Sequence, residues 1–204
     1  MGRTFYLDLD RTLFRTDEVE SLFRVVEVLY PDNAKVKCGY EDRKRFYVVP
    51  DSEAKDDFVY HHDFVWQLQD AGLDVDTVLR QLRARLGDGR FEYSGAKQLV
   101  DTLKGLGEVK ILTYGETVYQ CFKVSLCPSL TGLEKIAILE PKEQYLNKHA
   151  LRDDFIVDDK QMSGITNGMR VIRIQHDPAV PADAHSLEEV LAIISDSIAL
   201  ITTP

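Results

Sequence analysis

The sequence predicts an α/β fold: a parallel sheet of about five strands flanked by helices, with a second, helical unit inserted after the first strand. Three observations predict it. Short apolar runs alternate with amphipathic stretches along most of the chain, the pattern of a parallel sheet covered by helices. The first run, Thr4-Phe5-Tyr6-Leu7, is continuous in the way a strand buried on both faces requires, and it ends at the carboxylates Asp8 and Asp10. From about Arg15 to Arg90 no second strand of this kind follows, a gap far longer than an ordinary crossover.

The first strand is read as Thr4–Leu9. Within the long connection, Val19, Leu22, Phe23, Val26, Leu29 and Tyr30 recur at helical spacing and Pro31 closes the helix. A weaker helix is read from Ser52 to Ala71, with Phe58, Val65 and Leu68 on its apolar side. A third carries Val75, Val78, Leu79, Leu82 and Leu86, between an N-cap at Asp74 or Asp76 and a terminator at Gly87. The connection is neither low in complexity nor a linker, so it reads as a small, mainly helical unit. It leaves the sheet beside the first acid pair and can cover that pair as a lid.

Beyond it, Leu99, Val100, Leu103 and Leu106 form a helix that Gly105 and Gly107 end. Strands follow at Val109–Thr113, Lys135–Leu139, Phe155–Asp158 and Arg170–Ile174, and a last helix starts near Ser186. The whole reads as a Rossmann-like sheet.

Composition narrows the function. The 204 residues suffice for one ordinary domain plus a sizeable insertion. A formal net charge of -9 disfavours duplex nucleic acid and anionic lipid, which reward positive charge. It leaves room for a small phosphorylated molecule, because a metal and a few cations can make a local positive site. No apolar stretch is long enough to cross a membrane, and the first residues lack the layout of a signal peptide. The expected location is the cytoplasm. Cys38, Cys121 and Cys127 contain no CxxC pair and read as free thiols, without a disulfide framework or a structural zinc site.

The chemistry is concentrated at strand ends. In an open α/β sheet ligands bind at the carboxyl edge. Asp8 and Asp10 sit there, and Asp158-Asp159 ends a second apolar run in the same way. An Asp-x-Asp-x-Thr string is also compatible with a strand end and a turn capped by Thr12. The second acid pair shifts the balance, since it brings four carboxylates to one edge. Such acids repel one another, and a divalent cation that prefers oxygen ligands, such as Mg²⁺, removes the repulsion. Thr113-Tyr114-Gly115 offers a hydroxyl and a glycine at another strand end, suited to a small anion, with a helix N-terminus behind it. Lys142 directly follows the third core strand.

Asp8-Leu9-Asp10-Arg11-Thr12-Leu13-Phe14, Ile111-Leu112-Thr113-Tyr114-Gly115, a downstream lysine and Ile156-Val157-Asp158-Asp159, in that order, resemble the four motifs of the haloacid dehalogenase (HAD) superfamily. Gln120-Cys121-Phe122-Lys123 also looks like the family. The resemblance covers roughly residues 3–15 and 90–195. It implies a HAD-like core of residues 1–15 and 90–204, and a helical cap of residues 16–89 inserted after the first motif.

It further implies a Mg²⁺-dependent phosphatase acting on a small phosphate monoester. Asp8 is then the nucleophile that forms an aspartyl-phosphate, and Asp10 the general acid and base. Thr113 and Lys142 hold the phosphoryl oxygens, with Thr12, Tyr114, Gly115 and Arg15 as further candidates for phosphate or substrate contact. Asp8, the Asp10 carbonyl, Asp158 and Asp159 hold the metal. Dehalogenating members generally lack the second acid, so Asp10 favours phosphoryl transfer.

Lys142 is the choice for the lysine of the third motif. Lys148 is the runner-up, Lys135 opens a strand at the wrong end, and Lys123 is read as a surface residue of a helix. The chain departs from the pattern at Arg11, where a small residue is common, at Arg15, where an acid is frequent, and at Ser163, where a third acid could stand. Arg11 and Arg15 are expected to pair with acids such as Asp17 and Glu18, or else to hold an anionic substrate. In the insertion, His61, His62 and Trp66 are minor candidates for substrate contact, and Arg43-Lys44-Arg45 near Lys35 and Lys37 reads as a solvated basic run. Two alternatives stay open: a phosphomutase or phosphotransferase on the same chemistry, and a non-catalytic binding module that kept the fold.

Overall fold

The computed structural model describes residues 2–38, 45–48, 58–61, 63–87 and 89–202; for 45–48, 58–61 and 200–202 only the backbone course is described. Five parallel strands form one sheet in the order β5-β4-β1-β6-β7: β1 (Thr4–Leu7), β4 (Glu108–Tyr114), β5 (Glu134–Ile138), β6 (Phe155–Asp158) and β7 (Arg170–Arg173). The first strand is therefore central, with Phe5 opposite Val109 on one side and Phe155 on the other.

Successive side chains on a strand face opposite ways, and the two sides of the sheet bury different sets. Phe5, Leu7, Ile111, Phe155 and Val157 belong to the larger core, which α4 (Ala96–Lys104), α5 (Thr117–Ser125) and α7 (Leu187–Thr202) cover. Tyr6, Leu112 and Ile156 meet Leu146 and Ala150 at α6 (Lys142–His149) on the other face. Gly107 lets the chain enter β4 closely: a Cβ there would lie 2.2 Å from the Arg3 carbonyl oxygen.

Between β1 and β4 lie α1 (Val19–Leu29), a two-stranded antiparallel pair β2 (Arg45–Val48) and β3 (Phe58–His61), α2 (Phe64–Asp70) and α3 (Val75–Leu86). The predicted helix over Ser52–Ala71 is corrected here. Its second half is α2, but Phe58–His61 is a strand, and residues 52–57 lie outside the described ones. Phe58-Val59-Tyr60 and Phe46-Tyr47-Val48 are dense in aromatic and β-branched residues, which favour a pleated surface over a helix. The N-caps match their residue types: Asp63 accepts from Trp66 N, and Asp74 from Thr77 N.

The chain leaves and re-enters the sheet side by side, Arg15 N donating to Phe91 O and Tyr93 N to Leu13 O. Phe14 and Phe91 stack there at 5.8 Å. Apolar packing then continues into the insertion: Phe64 of α2 meets Phe122 of α5 at 5.3 Å and Phe23 of α1 at 6.0 Å. Among the described residues, no helix is long and apolar enough to cross a membrane.

Candidate active site

Asp8 and Asp10 follow the end of β1 in a tight turn. Leu13 N and Phe14 N both donate to Leu9 O, and Arg11 N donates to Phe14 O. Arg11 takes φ 60°, alone among the described non-glycine residues in the left-handed region. This turn aims the Asp8 carboxylate into a cavity of about 360 Å³ at the carboxyl edge of the sheet. Asp10, Thr113, Tyr114, Gly115, Lys142 and Asp159 also line it.

Asp8 is buried and held from three directions. The Thr12 hydroxyl donates to its Oδ2 at 3.2 Å, and Asp8 N donates to Val157 O at 2.9 Å. The Lys142 ammonium, on the first residue of α6, meets Asp8 Oδ1 and lies 2.6 Å from Asp158 Oδ2. Asp158 is also fixed by Lys160 N, which donates to its Oδ1 at 2.8 Å. Behind the turn, His176 donates from Nε2 to the Thr12 carbonyl at 3.1 Å and stacks on Tyr93. Burial holds this imidazole below its usual range.

Burial, chiefly, pushes the Asp8 carboxyl up to about 6; the charges of Asp158 and Asp10 add to this, and Lys142 opposes it. Asp158 and Asp159 are raised as well, first by burial. Asp158 is opposed by Lys142, while the Asp8 charge adds to the rise at Asp159. Lys142 is raised, because Asp8 and Asp158 favour the ammonium by more than burial disfavours it. One oxygen from each of Asp8, Asp158 and Asp159 lies within 4.8 Å of the others. Three crowded carboxylates whose burial resists ionisation are a donor set suited to a hard divalent cation.

Thr113 ends the buried part of β4. Its hydroxyl donates to Gln120 Oε1 at 3.1 Å, and Gln120 Nε2 donates to Tyr114 O at 2.9 Å. Gly115 has φ 137°, and a Cβ on it would lie 2.3 Å from Gln120 Nε2. The glycine thus lets α5 bring Gln120 against the strand end.

Asp10 is held at both oxygens. Thr16 donates from Oγ1 to Oδ1 at 2.9 Å, and the Lys123 ammonium meets Oδ2. Lys123 is only 3% exposed, so its reading as a surface residue is corrected. The signal was in the helix period: Tyr119, Phe122, Leu126 and Cys127 surround it at one-, three- and four-residue spacings and are all buried. A lysine inside such a stripe requires an acid partner. Thr16, Gln120, Lys160 and His176 are the other site-supporting residues that sequence reasoning did not assign.

The remaining candidates scatter. Arg15 does not line the cavity and pairs with Glu18 at 3.3 Å and Asp17 at 3.9 Å. Arg11, by contrast, lines the cavity, as do Glu116, Tyr119 and Lys160. Lys148 is exposed and pairs with Glu140, and Lys135 is exposed at the far end of β5. Trp66 is partly buried on α2 and does not line the cavity. Lys35 pairs with Asp70 at 2.9 Å. Residues 43, 44 and 62 of the basic run and the histidine pair lie outside the described ones, and His61 and Arg45 are opposite each other in the β2–β3 register.

Neither a family model nor a curated protein sequence matches this chain. Solved structures do. One is a haloacid dehalogenase-like hydrolase assigned in Burkholderia xenovorans, at 18% identity and TM-score 0.53, covering 97% of this chain and 98% of that one. A second is the HAD-hydrolase YfnB from Bacillus subtilis, bound to magnesium, at 16% identity and TM-score 0.53, over 95% and 98% of the two chains. A third, assigned as a β-phosphoglucomutase from Thermotoga maritima, has 11% identity and TM-score 0.55, over 95% and 99%. The chain has the α/β Rossmann-like fold of HAD-superfamily hydrolases over nearly its whole length.

Proposed function

We propose that this chain, folded like the HAD-superfamily hydrolases, is a Mg²⁺-dependent phosphatase that hydrolyses a small phosphate monoester. The observation that carries this reading is the group Asp8, Lys142, Asp158 and Asp159. A buried carboxylate lines a cavity with an ammonium and two further acids crowded around it.

A phosphate monoester repels a nucleophile, so a site must offset its charge and hold the attacking oxygen in line. Asp8 supplies that oxygen. It attacks phosphorus, the bond to the leaving oxygen breaks, and Asp10 gives that oxygen a proton. Water then attacks the aspartyl-phosphate with Asp10 taking its proton, and the bond from phosphorus to Asp8 breaks to release phosphate. Thr113, whose hydroxyl proton goes to Gln120 in this structure and turns to the phosphoryl group on binding, and Lys142 hold the phosphoryl oxygens. Asp8, the Asp10 carbonyl, Asp158 and Asp159 are the residues to hold Mg²⁺, and their crowded, buried oxygens fit it. When bound, the ion supplies positive charge against the phosphoryl group and the carboxylates.

Residues 16–89 act in this reading as a cap that selects the substrate, joined to the core where residues 13–15 run beside 91–93.

The test is hydrolysis of an aryl phosphate with Mg²⁺ and with chelator, in wild type and Asp8→Asn. Free phosphate that requires both Mg²⁺ and Asp8 is the expected result. Phosphate release that survives Asp8→Asn overturns the assignment, and transfer to a second hydroxyl without free phosphate makes the protein a mutase.

A further inference from the structure

We propose that Lys123 is the positioning residue for the general acid, tying Asp10 to α5 so that its proton reaches the leaving oxygen. This rests on the phosphatase reading above. Three observations carry it. First, Lys123 is 3% exposed, and among the described residues Asp10 is the one carboxylate within ion-pair reach of its ammonium. A buried lysine pays heavily for lost water, and an apolar side chain would fill the same space at lower cost. Packing alone does not explain a lysine here.

Second, the ammonium is fixed from the side. It lies 4.8 Å from the centroid of the Tyr119 ring and 5.8 Å from that of Phe14, so aromatic faces limit where it can go. Third, Asp10 has no other restraint of comparable strength. Thr16 fixes Oδ1 by a neutral hydroxyl, while Lys123 fixes Oδ2 by a charge-assisted bond. Each carboxyl oxygen keeps a second lone-pair direction, so the clamp leaves Asp10 able to face the cavity that both residues line. Lys123 touches no reacting atom in this scheme and acts through Asp10.

In the first step, which kcat/KM reports, a residue that places the general acid matters only when the leaving oxygen needs a proton; the second step needs Asp10 as base whatever the leaving group was. The experiment therefore uses ring-substituted phenyl phosphates of similar size, from dinitrophenyl phosphate, which departs without a proton, to phenyl phosphate, which does not. Wild type, Asp10→Asn, Lys123→Met and Lys123→Arg are compared by kcat/KM across the series, with thermal unfolding as a check on folding. Lys123→Met is expected to lose roughly 10²-fold in kcat/KM on phenyl phosphate, the scale of general-acid catalysis. On dinitrophenyl phosphate kcat/KM should fall less than about tenfold, while kcat falls there too because the second step still needs Asp10 as base. Asp10→Asn should show the same slope, and Lys123→Arg, which keeps a charged donor, should recover part of the phenyl phosphate rate.

Equal losses across the series, or wild-type rates in a folded Lys123→Met, overturn the proposal. If Lys123→Met does not fold, Lys123→Arg decides: a selective loss on phenyl phosphate supports it, and a flat profile overturns it. A wild type inactive on the whole series overturns the phosphatase reading itself. An active wild type with a sloped Asp10→Asn and a flat Lys123→Met overturns the role of Lys123 alone.

Discussion

Lys142 Nζ lies 2.6 Å from Asp158 Oδ2 and also meets Asp8, so one ammonium on the first turn of α6 joins the ends of β1 and β6. Replacing it leaves two buried carboxylates facing each other. Lys142→Met is expected to lower kcat by about 10²–10³-fold, as removal of an electrostatic stabiliser does. Its melting temperature should fall below that of wild type, by more at alkaline than at acid pH. Scanning calorimetry at both pH values checks this.

The acid cluster gives metal-free stability a definite slope with pH. A carboxyl whose pKa is raised by folding binds its proton more tightly in the folded state. Its contribution is complete below the ordinary value of 3.8 and is lost as pH rises through the folded value, about 6 for Asp8. Asp158 and Asp159 shift in the same direction. Chelator-treated protein should therefore lose stability from about pH 4 to pH 7 through these groups, and Mg²⁺ should raise the melting temperature more at about pH 8 than at about pH 5. Asp8→Asn should flatten part of that slope. A Mg²⁺ effect independent of pH would contradict it.

Gly115→Ala should reduce turnover. Its φ of 137° disfavours a side chain, and the added methyl would displace Gln120 from the Thr113 hydroxyl. A loss of roughly tenfold or more in kcat is expected from the misplaced hydroxyl. Steady-state kinetics on an aryl phosphate measures it.

The seam between the insertion and the sheet depends on Phe64, which is fully buried between Phe23 and Phe122. Phe64→Ala should cost about 3–5 kcal/mol of stability in urea unfolding, through lost burial and a cavity.

Thiol labelling should follow exposure. Cys38 is exposed, Cys121 partly so, and Cys127 fully buried with its thiol pushed up by burial and by Glu92. A maleimide should modify Cys38 first and Cys127 only after unfolding, as read by mass spectrometry.

The sheet and the acid edge were legible because burial on both faces leaves no choice of residue. Phe155-Ile156-Val157 can hardly be anything but an inner strand, and acids directly after it must face solvent or a ligand. The β2–β3 pair was not legible. Its segments are short, and Phe58 happens to fall at helical spacing from Val65 and Leu68, so periodicity outweighed the aromatic and β-branched content. Lys123 was misread for another reason. Charge on a helix normally faces water; the apolar residues around Lys123 signal that it needs an acid, but Asp10 is 113 residues away in sequence, so nothing local names that partner. Lys142 was easier to place because it follows a strand that ends at the same edge.

The placement of β1 in the middle of the sheet bears on how the protein fails under heat. Its backbone is bonded to β4 on one side and β6 on the other, and its side chains are buried on both faces. Amide hydrogens in such a strand exchange only when most of the structure opens. Asp8 hangs from this slowest-exchanging segment. Fraying at the outer strands β5 and β7 therefore leaves its carboxylate in register, and loss of the site's geometry on heating should coincide with global melting.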